Sequence, residues 1–111
     1  MVRYIATHYA EPIKSSDIAR AADLHMTYAM GLFRRTCGVT FGQYVTQHRI
    51  WHAQRLLATT DAMINDIADE AGFGSVSQFH AVFKRCCGIA PHAYRASLKQ
   101  DKAPNQYLMR R

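Results

Sequence analysis

Between Ser77 and Arg85 the chain lines up a hydroxyl, an amide, an imidazole and two cations: Ser77, Gln78, His80, Lys84 and Arg85, with Ala81 among them. On a helix these groups suit a polar edge framed by anions. A glutamine amide can bond an adenine edge and an imidazole can reach a guanine, while Lys and Arg neutralise phosphates. Fifty residues earlier a related order stands in Thr27, Met30, Gly31, Arg34 and Arg35. There a hydroxyl, a thioether able to touch a thymine methyl and a bare backbone position precede the cationic pair.

Other chemistries find little support. Cys37, Cys86 and Cys87 form no C-x-x-C pair, and an odd count argues against a disulfide framework, so reduced and mostly buried thiols are expected. His48 and His52 are spaced i, i+4, but no carboxylate or cysteine nearby completes a metal set, so solvated helix histidines are expected. No catalytic residue, metal or cofactor is expected.

The charge balance favours a polyanionic partner: 14 Lys and Arg against 8 Asp and Glu give +6. No acid occurs from Leu24 to Thr60 or from Ala71 to Gln100, and the basic residues collect there. Charge alone does not separate a phosphate-facing surface from an ordinary basic one. At 49% hydrophobic and 20% charged, the 111 residues can bury a core, and no apolar run is long enough to span a membrane or opens as a signal peptide. A folded cytoplasmic protein is expected.

The elements that would position these groups come from an internal repeat. Asp17-Ile18-Ala19 with Ala22 matches Asp66-Ile67-Ala68 with Ala71 at an offset of 49, while Phe33, Cys37, Gly38 and Tyr44 match Phe83, Cys87, Gly88 and Tyr94 at 50. One extra residue therefore lies in the second turn. Helical periodicity dominates, so the fold class is all-α, with two helix-turn-helix units and about seven helices. In the first copy Ser15 or Ser16 is expected to cap one helix and Thr27 the next; in the second, Gly72 suits the left-handed end of a helix and another runs from about 76 to 87. Between the copies Thr40-Phe41-Gly42-Gln43 has the form of a capping box and opens a linker helix to about Ala58. At about 1.5 Å per residue, a rod of that length could hold two helices near the roughly 34 Å spacing of successive major grooves. Val2 to Tyr9 predict a short packing helix, and Pro91 opens a final one. The resulting division is residues 1–39 for the first lobe, 40–58 for the linker helix and 59–100 for the second lobe, with 101–111 as a frayed tail.

Within the repeat, Ala29, Leu32, Phe33 and Cys37 share a core face, as do Phe79, Val82, Phe83 and Cys87. Thr27, Met30, Gly31 and Arg34 then form one outer row, and Ser77, His80, Ala81 and Lys84 the other.

These residues resemble the C-terminal DNA-binding domain of the AraC/XylS family of bacterial regulators. The second unit carries Ile67-Ala68, Gly72-Phe73, Ser77, Phe79, Phe83-Lys84, Gly88, Pro91 and Tyr94-Arg95 of its signature. The first carries Ile18-Ala19, Phe33-Arg34, Gly38, Tyr44, Arg49 and Leu56-Leu57, and the likeness covers roughly residues 2–98. It implies two helical lobes whose recognition helices enter adjacent major grooves of double-stranded operator DNA. The family's base-reading positions fall on Thr27, Met30 and Gly31, and on Ser77, Gln78 and Ala81; His80 joins them from the outer row. Phosphate contacts are expected from Arg34, Arg35, Lys84, Arg85 and Arg95. Tyr28-Ala29-Met30-Gly31 is similar to the branch containing melibiose-operon regulators. The resemblance also implies an N-terminal effector-binding and dimerising domain outside this chain.

A DNA-repair alkyl acceptor would need a reactive cysteine, but Cys37 and Cys87 hold matched core positions and no four-cysteine zinc set exists. A purely protein-binding bundle would use Asp66, Asp69 and Glu70 as its contact face, and the same face in an activator can touch RNA polymerase.

Overall fold

The computed structural model describes residues 2–100, so the expected tail at 101–111 lies outside the described residues. These fold into α1 (Val2–His8), α2 (Ser15–Ala21), α3 (Met26–Cys37), α4 (Phe41–Thr59), α5 (Ile64–Glu70), α6 (Val76–Cys87) and α7 (Pro91–Gln100), with no strand among them. The repeat is visible in the elements themselves. Helices α2 and α5 each have 7 residues, and α3 and α6 each have 12. Their starts are offset by 49 and 50, which places the extra residue in the second turn.

Both turns bend through a left-handed residue at the same repeat position, Asp23 at φ 57° and Gly72 at φ 97°. Glycine meets no Cβ penalty there, and aspartate is among the few other residues that tolerate it. Gly38 and Gly88 close α3 and α6 at φ 79° and 88°, their N–H groups donating to Arg34 O at 2.9 Å and Lys84 O at 2.8 Å.

The helix starts depart from expectation in the first copy. Neither Ser15 nor Ser16 caps α2, because both are already helical; Lys14 precedes it, and its backbone N–H donates to Asp17 Oδ2 at 2.8 Å. Thr27 is likewise inside α3 rather than its cap. His25 takes that place, its Nδ1 accepting from the Thr27 N–H at 3.3 Å. The capping box of α4 is complete: Thr40 N–H donates to Gln43 Oε1 at 3.0 Å, and Gln43 N–H to Thr40 Oγ1 at 3.1 Å.

The chain divides within α4, after His48, into two compact units. In the first, Ile5, Ile18, Phe33 and Val45 form the buried centre, with Tyr44 meeting Phe33 edge-on at 5.2 Å. The second has the larger core, to which α4 contributes Ile50, Ala53 and Leu57. Phe73, Phe79, Phe83 and Tyr94 run through it as a chain of ring contacts at 5.0, 5.5 and 5.4 Å. Burial raises the Tyr94 phenol to about 12, with Cys87 adding to the effect.

Candidate nucleic-acid interface

Helix α6 is held at its first turn by two bonds. Ser75 Oγ accepts from the Gln78 N–H at 3.0 Å, and Gln78 Oε1 accepts from the Gly74 N–H at 3.0 Å. With that end fixed, burial of Phe79, Phe83 and Cys87 turns the opposite side of the helix outward. Ser77, His80, Ala81 and Lys84, with Val76, line one shallow depression there. Ser77, Ala81, Lys84 and Arg85 are exposed, and His80 is half-buried with its ring edge-on to Phe79 at 6.0 Å. The outer row expected for the second unit is thus gathered on one face.

Gln78 is exposed, but its carbonyl oxygen already serves the turn. It is a helix-capping group as well as a candidate reader. The Ser75-x-x-Gln78 spacing carries this signal in the sequence as openly as Thr40-x-x-Gln43 does.

On α3 the buried Ala29 and Phe33 likewise set the outward side. Thr27, Arg34 and Arg35 are exposed. Met30 departs from its expected place in an outward row: it is half-buried and packs against the first unit's core. Gly31 is half-buried, and a Cβ placed there would stand 3.3 Å from Arg35 Nη1, so the guanidinium lies back over the bare position. The basic pairs end both helices, where they also suit the helix dipole.

Arg95 corrects an expectation. Its guanidinium is engaged by backbone carbonyls: Nε donates to Leu57 O at 3.3 Å, Nη2 to Thr60 O at 3.1 Å and Nη1 to Ala62 O at 2.8 Å. Leu57 O is one of the last carbonyls of α4, which the helix itself leaves unsatisfied, and the other two belong to the strap leading into α5. Arg95 therefore binds α7 to the entrance of the second helix-turn-helix.

Two further expectations change in detail. His48 and His52 are half-buried rather than solvated, and burial lowers both imidazoles. Arg55 lowers His52 further, while Glu70 partly offsets this. His48 packs its ring against Tyr44 at 4.8 Å and Tyr9 at 5.5 Å. Among the thiols, Cys87 is buried and receives a bond from Gln54 Nε2 at 3.4 Å, whereas Cys37 and Cys86 are half-buried. No helix among the described residues is long and apolar enough to cross a membrane.

Comparison with known proteins places the same features in a wider set. A family described as helix-turn-helix domain matches residues 18–97. The melibiose operon regulatory protein of Escherichia coli K12 is 40% identical over 102 residues, which is 92% of this chain and 34% of that protein. Among solved structures, the C-terminal domain of the two-component response regulator yesN from Fusobacterium nucleatum is 31% identical, with a TM-score of 0.80, covering 84% of this chain and 91% of that one. The DNA-binding domain of AdpA, a global transcriptional factor solved in complex with a target DNA, is 28% identical with a TM-score of 0.87 and 94% coverage of both. The chain spans about a third of the length of the curated relatives it matches.

Proposed function

Because the chain belongs to the AraC-type helix-turn-helix family of transcription regulators, we propose that it binds duplex operator DNA sequence-specifically, with α3 and α6 in successive major grooves. The observation that carries this is the pair of equal 12-residue helices, each with a buried apolar side, an opposite side turned outward and a terminal basic pair. A helix of that kind fits a major groove, and its cations meet the flanking phosphates. Ser77, Gln78, His80 and Ala81 read bases in the second unit, and Thr27 in the first, with Met30 limited to the part of its side chain outside the core. Arg34, Lys84 and Arg85 take phosphates. The exposed Asp66, Asp69 and Glu70 of α5 are a contact for RNA polymerase in an activator. Effector response and dimerisation of the whole regulator are assigned to sequence outside this chain, and the protein works in the cytoplasm.

Selection from a random duplex library followed by footprinting tests the reading. The expected site covers two successive major-groove turns for one copy of the chain, with affinity falling as salt rises by a slope of about −0.9 for each phosphate neutralised. Protection confined to half a turn at saturating protein, or a slope near zero, overturns it.

Within that site, Gln78→Ala and His80→Ala should each relax preference at a particular base pair by about 1–3 kcal/mol and leave the salt slope unchanged. Because Gln78 also holds the Gly74 N–H, its alanine variant should lose about 0.5–1.5 kcal/mol of stability as well. Gln78→Glu separates the two roles. It keeps an acceptor for the cap and lacks the amide donor, so stability should persist while the base preference goes. If alanine at 78 lowers the urea midpoint without altering preference across single-base operator variants, Gln78 is a cap alone.

A further inference from the structure

Resting on the reading of α3 as a major-groove helix, we infer that Arg35 is a base-reading residue whose guanidinium uses the gap at Gly31 to reach a guanine edge. A glycine at the sixth position of a 12-residue helix is unfavourable in itself, since it forfeits the restriction that a side chain gives the backbone. What stands over it explains its presence. Side chains on a helix lean toward its N-terminus, so residue i+4 covers residue i. Arg35 Nη1 lies 3.3 Å from where a Gly31 Cβ would be, and so overlies the outward row that begins at Thr27.

The consequence is a long cationic fork brought one turn forward from the helix end, to a half-buried position that has no side chain of its own. Such a fork can donate two parallel bonds to guanine O6 and N7, the commonest specific contact in the major groove. The second unit marks the difference. Its equivalent pair is Ala81 and Arg85, and the methyl of Ala81 occupies the space that Gly31 leaves open. Arg35, with no side chain beneath it, can lie closer against the helix at this position than a guanidinium over the Ala81 methyl can. The first unit then reads by a guanidinium rather than chiefly by Thr27 and Met30.

The test measures wild type, Arg35→Ala, Arg35→Gln and Gly31→Ala by fluorescence anisotropy against a selected operator duplex and its full set of single-base variants, at two salt concentrations. Arg35→Ala should weaken the operator about tenfold or more and abolish discrimination at one G·C pair only. Arg35→Gln should move preference at that pair toward A·T, because an amide bonds adenine. Gly31→Ala keeps the charge and, by pushing the guanidinium outward by a few tenths of an ångström, should weaken discrimination at the same pair by a smaller factor. A uniform loss over all duplexes, with the salt slope reduced by about one, would make Arg35 a phosphate ligand and overturn the inference. So would an Arg35→Ala variant indistinguishable from wild type, or a Gly31→Ala variant with discrimination intact. Wild type without preference among duplexes would instead overturn the underlying reading of α3.

Discussion

Phe83→Ala is expected to destabilise the second unit by about 3–5 kcal/mol, the cost usual for removing a buried aromatic ring. Phe83 has no exposed surface and joins Phe79 on its own helix to Tyr94 on α7, so its loss opens a gap between two elements. Relaxation cannot easily close it, because Phe79 is also held by a tilted contact with Phe73 at 5.0 Å and an edge-on contact with His80 at 6.0 Å. Against the roughly 5–15 kcal/mol that separates folded from unfolded states in ordinary domains, this is a large share. The repeat supplies the control. Phe33 holds the matching place in α3 and is equally buried, but the cluster around it is smaller. Trp51, the single tryptophan, lies in the second unit and is 37% exposed, so its fluorescence reports that unit. In urea, Phe83→Ala should shift the tryptophan transition to lower concentration, while Phe33→Ala should shift the helical circular dichroism more than the fluorescence. Equal shifts of the tryptophan signal in both variants would show that the two cores do not respond separately.

Arg95→Ala should cost about 3 kcal/mol, and its effect on DNA binding should come through the fold. Hydrogen bonds from a charged donor are worth about 1.5–3 kcal/mol each, and three are lost, of which one is exposed and contributes less. Lysine should not rescue it, since a point charge on a flexible stem cannot replace a planar fork that meets three carbonyls at once. The outcome that distinguishes this from a phosphate contact is the salt slope. Loss of these three bonds should lower the fraction of competent protein while leaving the slope as it is, and low urea should exaggerate the defect. If Arg95→Ala instead unfolds at the wild-type midpoint and lowers the slope by about one, the guanidinium serves a phosphate.

The repeat was legible because apolar spacing is a local property. Phe33 and Phe83, with Gly38 and Gly88 a fixed distance behind them, mark both the buried side and the end of α3 and α6 before any contact is known. The caps were less legible. Serine at 15 and threonine at 27 have the right chemistry one or two places too late, and the chain uses Asp17 and His25 instead. The backbone role of Arg95 is hidden for a different reason. Its charge is visible in the sequence, but the carbonyls that claim it lie 33 to 38 residues away, and nothing local announces that a helix end will need donors there. Met30 shows the limit of a helical wheel: a long side chain on the border of two faces can lie down against the core from an angle that nominally points out. Arg35 falls to the same limit in reverse, since only the direction in which it leans brings it over Gly31.

The division after His48 has a bearing on how such a protein can be dissected or recombined. Tyr44 and Val45 pack in one core, and Ile50, Ala53 and Leu57 in the next, all on one uninterrupted run of hydrogen-bonded backbone. There is no loop at the seam. A gene fragment that starts or stops at the seam would expose several orphaned amide or carbonyl groups and strip one core of part of its wall. Chimaeras that exchange one half for that of a relative should therefore carry the whole of residues 40–60 from a single parent, so that the Thr40–Gln43 box and the Thr60 to Leu56 bond stay intact, with their crossovers at 39 or at 61–63.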